Sequence, residues 1–156
     1  MNKSQINKEK ATVRKIEEYL LADSHSMTAI DKDGDLVINV MFSPEISFFA
    51  TITCSARGYL IGICYHFGDL KHKYILTRKS NELNVHMREG CFYVDENGEL
   101  CWKNFIPFMD SIGAIDVLRS YKTGIMTFLT SIHDFVEVMN LDVSDDSVVI
   151  IEEESA

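Results

Sequence analysis

The sequence predicts an α+β domain: a twisted antiparallel sheet of about six strands with three helices, in the order α-ββ-ββ-α-ββ-α. Three observations carry that prediction. Segments of strand character come in pairs around glycine-bearing turns, helical periodicity opens the chain and recurs between two of the pairs, and a long amphipathic stripe closes it. The helices are expected to gather chiefly on one face of the sheet.

The first helix is expected over residues 4–22, where Ile6, Val13, Ile16 and Leu20 recur at helical spacing between charged positions. Asp23-Ser24-His25-Ser26 ends it. The first hairpin joins 27–31 to 35–42 across Asp33-Gly34, read as a two-residue type I′ turn. In its second strand Leu36, Ile38, Val40 and Phe42 alternate with Val37, Asn39 and Met41, as in a sheet with one face more deeply buried. Ser43-Pro44-Glu45 ends that strand, and a second hairpin joins 46–56 to 59–67 across Arg57-Gly58. Its β-branched and aromatic content suits central strands.

A second helix is expected over 71–85, with Tyr74, Ile75, Arg78, Glu82 and Leu83 at helical spacing. The third hairpin pairs 91–96 with 99–108 across Asn97-Gly98. The last helix spans 111–140. Its stripe of Leu118, Tyr121, Ile125, Leu129, Ile132, Val136 and Met139 is centred on Ile125, Leu129 and Ile132, with Phe128 and Phe135 outlying. Gly113 and Gly124 fall off that centre, where glycine bends a helix or admits a close neighbour. Residues 1–140 thus form one domain, and 141–156 an acidic tail with six acids and no base.

With 24 acidic against 15 basic residues the formal charge is −9, which repels phosphate backbones and anionic leaflets; neither nucleic acid nor membrane is expected as a partner. The polar N-terminus has no apolar core of a secretory signal, and the longest apolar run, 59–65, is too short to cross a bilayer, so the expected location is cytoplasmic. The four cysteines, Cys54, Cys64, Cys91 and Cys101, show no CxxC spacing and fall in expected strands, where free cysteine packs as a small hydrophobe in a reducing compartment. No zinc motif appears, and no metal or cofactor is expected.

Candidate sites have competing structural explanations. Asp31-Lys32-Asp33-Gly34-Asp35 resembles a calcium loop, but its glycine is fourth and Phe42 stands where the loop's glutamate belongs; a turn explains it. No nucleophile elbow or HExxH is present, so no catalytic residue is assigned. His66, His72 and His86 flank the second helix and define the weaker alternative, a pocket between sheet and helices. Asn81 and Asn84 are expected to bond to free backbone groups near the helix end.

A two-residue turn at Asn97-Gly98 puts Tyr93, Leu100 and Trp102 on one face of the third hairpin, and Phe92, Val94, Cys101 and Phe105 on the other. The hairpin is then either covered on both sides or exposes a patch; burial is the preferred reading, and a patch would mark a partner surface. Val148-Val149-Ile150-Ile151 could add to a partner's sheet edge, but a frayed or self-docked terminus is preferred.

The stretch Ser80-Asn81-Glu82-Leu83-Asn84-Val85, the hairpin Gly90-Cys91-Phe92-Tyr93-Val94-Asp95-Glu96-Asn97-Gly98-Glu99-Leu100 and the exit Phe105-Ile106-Pro107-Phe108 resemble the YbjN-like family of bacterial sensory-transduction regulators. With the flanking helices the resemblance spans residues 7–140 and leaves out the acidic tail. It implies a fold like that of type III secretion chaperones, and it transfers no catalytic site. It further implies a non-enzymatic regulatory or chaperone-like module that binds a protein partner or a second copy of itself. The contacts expected for that role are Phe128 and Phe135, whose wide stripe can serve two neighbours, with Trp102 and Tyr93 on the hairpin. A small-ligand-binding protein or enzyme is the alternative.

Overall fold

The computed structural model of the chain describes residues 3–66, 70–108 and 113–144. The expected strand at 148–151, the tail beyond 144, the end of the fourth strand at Phe67 and the start of the last helix at Ser111 lie outside them. The order is α1 (Lys3–Leu21), β1 (Ser26–Ile30), β2 (Leu36–Ser43), β3 (Ile46–Cys54), β4 (Gly58–Tyr65), α2 (Lys73–Asn84), β5 (Cys91–Val94), β6 (Leu100–Pro107) and α3 (Ala114–Ser144), with a 3-10 turn (Leu70–His72) before α2. This is the expected α-ββ-ββ-α-ββ-α α+β fold, with α3 running on to Ser144.

All six strands join one antiparallel sheet in the order β1-β2-β3-β4-β6-β5. The first four strands form a meander. The β5–β6 hairpin then docks through β6 on β4, leaving β5 as an edge. Strand alternation sorts the side chains: Leu36, Ile38, Val40, Phe48, Ala50, Ile52, Tyr59, Ile61, Ile63, Leu100 and Trp102 are buried, with exposed or half-exposed residues between them except at Cys101, which is buried as well. Against this face pack Val13, Ile16 and Leu20 of α1, Leu76 of α2, and Val117, Tyr121, Phe128 and Phe135 of α3.

The turns of the first and third hairpins differ from expectation, and alike. Asp31 donates its backbone N–H to the Asp35 carbonyl at 2.9 Å, and its Oδ1 accepts the N–H groups of Asp33 and Asp35 at 2.9 and 3.0 Å. Asp95 repeats this with Glu99 and Asn97 at 3.0, 2.9 and 2.9 Å. Each loop therefore holds three residues, not two. Only its glycine, Gly34 or Gly98, takes a positive φ, whereas a type I′ turn needs two such residues. The Asp side chain caps the turn from inside, which is what the calcium-like DxDGD spacing encodes here. In the second hairpin Ser55 pairs with Gly58, so the turn residues are Ala56 and Arg57 rather than Arg57 and Gly58.

The extra loop residue shifts the third hairpin by one position and exchanges its faces. Phe92 lies opposite Trp102 and Val94 opposite Leu100, all turned to the helices, while Tyr93 lies opposite Cys101 on the other face. The expected grouping of Tyr93 with Trp102 is corrected accordingly.

Helix faces also differ from the simple wheels. In α2 the buried positions are Leu76 and Ser80, continuing from His72 at helical spacing, and Tyr74 is exposed. In α3 the buried line runs Val117, Tyr121, Gly124, Phe128, Phe135, with Ile125 buried beside it as expected. Phe128 and Phe135 thus sit at its centre, and Leu129 and Ile132 on its half-exposed flank. The cause is Gly124: lacking a side chain, it lets the helix approach the sheet at that meridian, which sequence hydrophobicity cannot register.

Candidate functional site

The face of the sheet turned away from the core carries the candidate site. One register row crosses all six strands: Met27, Asn39, Phe49, Cys64, Cys101, Tyr93. Neighbouring rows on the same face add Met41 opposite Ser47, Thr51 opposite Gly62, and Leu60 opposite Phe105. Six large side chains of this face are exposed: Met27 77%, Met41 60%, Phe49 47%, Phe105 47%, Leu60 40% and Tyr93 36%. Among the described residues no helix covers it, because the core cluster draws all three helices to the opposite face. β-Propensity explains why such residues form strands, but burial within the chain does not explain why they are apolar.

Polar groups punctuate this face. Lys103 Nζ lies 4.7 Å from the centroid of the Tyr93 ring, a cation–π contact. At one end, His66 Nδ1 and Glu99 Oε1 are 3.1 Å apart. There the surface sinks into a depression of about 980 Å³ bordered by His25, Met41, Phe49, Cys64, His66 and Glu99. Burial raises the Tyr93 phenol well above its ordinary range, reinforced by Cys101, Cys64 and Asp95 nearby. The hydroxyl therefore stays a neutral donor beside the Cys101 sulfur.

The other contacts expected for a partner lie elsewhere. Phe128, Phe135 and Trp102 are fully buried. Phe128 packs on Phe48 and Phe92 with ring centroids 5.1 Å apart in each case, and Phe135 on Phe92 at 5.1 Å. These three side chains build the core and offer nothing to a partner, which corrects that expectation; Tyr93 alone of the four reaches the surface. The preferred reading of the third hairpin as covered on both sides holds for its Trp102 face only, since Tyr93 and Phe105 open to the exterior.

The three central histidines do not converge either. His66 stands exposed on the rim of the sheet depression, and His72 is buried at the start of α2. His86 borders a different, shallow depression with Leu83, Met87 and Thr123. Among the described residues no group of three His, Cys, Asp or Glu side chains is arranged to hold a metal ion. Asn84 plays the structural part expected of it, bonding twice to the backbone of Phe92, while Asn81 is exposed.

Met27, Met41, Phe49 and Leu60 were not among the expected site residues. Their signal was present in the adjacent pair Phe48-Phe49 and the unbroken run Tyr59-Leu60-Ile61: both faces of a strand are apolar although the helices can cover only one.

Comparison with protein-family models, with curated proteins and with solved structures returned no match. Fold and site together define a two-layer helix-on-sheet domain with an open apolar sheet face. Among the described residues no helix is long and apolar enough to cross a membrane.

Proposed function

We propose that this chain is a non-enzymatic, regulatory or chaperone-like module that binds a protein partner, or a second copy of itself, through the open face of its sheet. The observation that carries the reading is the set of exposed apolar side chains on that face, with Phe49, Leu60 and Phe105 at its middle and Met27 and Met41 toward β1. Flexible thioethers and rigid aromatic rings on one surface suit a protein ligand, since methionine adapts to irregular contacts and aromatics anchor them. The resemblance to YbjN-like regulators and to the fold of secretion chaperones points to the same class, as an analogy of architecture.

The test compares the wild-type chain with Phe49→Ser and Phe105→Ser, each checked for cooperative unfolding. Light scattering over a concentration range reports self-association, and affinity capture from the native cell followed by mass spectrometry reports a heterologous partner. The wild type should self-associate or retain a defined protein, and both variants should lose that property. A wild type that stays monomeric and retains nothing beyond what the two variants retain would overturn the reading.

A further inference from the structure

Cys64 on β4 and Cys101 on β6 are 37 residues apart in sequence and directly opposite in the sheet register. Their sulfurs lie 3.0 Å apart. Opposite residues of an antiparallel pair hold their Cα atoms roughly 4.5–5.5 Å apart, inside the range of about 4.4–6.8 Å that a disulfide spans. The sulfurs need to close by only about 1 Å to reach the covalent distance of roughly 2.05 Å. We propose that Cys64 and Cys101 are a redox-active pair that closes to a reversible disulfide across β4 and β6.

The other two cysteines are placed differently. Cys54 lies opposite Tyr59 and packs against the core, and Cys91 lies opposite Lys103. The pair itself sits in the register row of the open face, with Cys64 half-exposed and Cys101 buried beside it. Access and reactivity coincide at Cys64: the hydrogen bond from Cys101 holds its thiol below the ordinary range, while that same bond and burial push Cys101 up. Cys64 is therefore the attacking sulfur and Cys101 the resolving one.

The oxidant is a small disulfide such as glutathione disulfide. The Cys64 thiolate attacks one of its sulfurs, forming a mixed disulfide and expelling one glutathione thiolate. Cys101 gives up its proton and attacks the Cys64 sulfur, expelling the second glutathione. The two thiol protons end on the two glutathione thiolates, so the chain loses two hydrogens and the oxidant gains them. The new bond has a defined structural place. Pairing of β4 with β6 is the seam where the β1–β4 meander meets the β5–β6 hairpin, and the disulfide staples that seam.

The full-length chain is equilibrated in graded mixtures of glutathione and glutathione disulfide, acid-quenched and alkylated. Intact mass then counts its free thiols, and peptide mapping locates any link. Two of the four thiols should disappear together, in a linked peptide joining Cys64 to Cys101, and the melting temperature should rise by several degrees in the oxidised form. Cys64→Ser and Cys101→Ser should each abolish that link and that rise. Four alkylated thiols in the most oxidising mixture, glutathione adducts without an internal link, or a link through Cys54 or Cys91 would each overturn the proposal. Should a variant fail to fold, the thiol count and map of the wild type decide alone.

Discussion

The Cα of Gly124 on α3 packs so closely on the indole of Trp102 that a side chain at 124 would overlap the ring at Cζ3 and reach within 2.7 Å of Cε3. Gly90, at φ +71°, flanks the same indole along its Nε1 side, where a methyl group would come within 2.6 Å of the nitrogen. Trp102 thus occupies a slot between two glycines, one in the loop before β5 and one in the last helix. The contact sets both the height of α3 above the sheet and which of its residues face inward.

Gly124→Ala should therefore destabilise the fold although alanine is the better helix former. Overpacking a filled core costs about 1–3 kcal/mol, against roughly 0.8–1.0 kcal/mol gained in helix propensity. Trp102 and Ile63 are both fully buried and leave little room to yield, so the net loss should approach the upper end of that difference, about 2 kcal/mol in urea denaturation. Combining Gly124→Ala with Trp102→Phe should cost less than the two single losses added. Strict additivity would show that the contact does not limit packing.

Asn84 is a surrogate strand. Its Nδ2 donates to the Phe92 carbonyl at 2.9 Å and its Oδ1 accepts the Phe92 N–H at 2.8 Å, satisfying the edge of β5. Asn84→Ala leaves both groups without those partners and should cost about 1–3 kcal/mol. Asn84→Asp should not restore it, because a carboxylate presents an acceptor to the Phe92 carbonyl. Hydrogen exchange of the Phe92 amide is the local readout, and unchanged protection in Asn84→Ala would refute the role.

Core and open face should separate cleanly by mutation. Phe128→Ala removes a ring packed between Phe48 and Phe92 and should cost about 3–5 kcal/mol. Phe49→Ser, on the open face, should change stability by only about 0.5 kcal/mol in either direction. Thermal melts of the two variants measure this, and equal losses would mean that the open face is packed.

The hairpin acids make one pH-dependent contribution. Burial raises the Asp35 carboxyl above its ordinary 3.8, helped by the charges of Asp31 and Asp33. The folded state therefore binds the proton more tightly. The favourable contribution is complete below the unfolded value and is lost as pH rises through the folded one. Asp35→Asn should accordingly be the more stable protein at pH 7, by roughly 0.5 kcal/mol after solvent screening. That advantage should vanish below pH 3.8. A constant difference across the titration would exclude the charge as its cause.

Much of the architecture was legible before folding was considered, for reasons visible in particular residues. Leu36, Ile38 and Val40 alternate with polar or less buried neighbours, so β2 announces its period and its inner face. Gly34 and Gly98 mark their hairpins because each supplies the positive φ that its loop needs. The candidate site was less legible. Phe49 and Phe128 are the same residue type in equally apolar surroundings, yet one is exposed and the other buried, because helices cover one face of the sheet.

Local sequence carried the order of helices and strands, the places of the hairpins and the presence of a long amphipathic last helix. Those features rest on local periodicity and on turn chemistry that neighbouring residues decide among themselves. The folded chain adds that Asp31 and Asp95 cap three-residue loops, and so that Trp102 turns inward while Tyr93 turns out. It alone brought Cys64 beside Cys101 and set Gly124 on the indole. The physical reason is common to all three. A one-residue change of register exchanges the two faces of a strand, and contacts between distant segments depend on how whole elements pack.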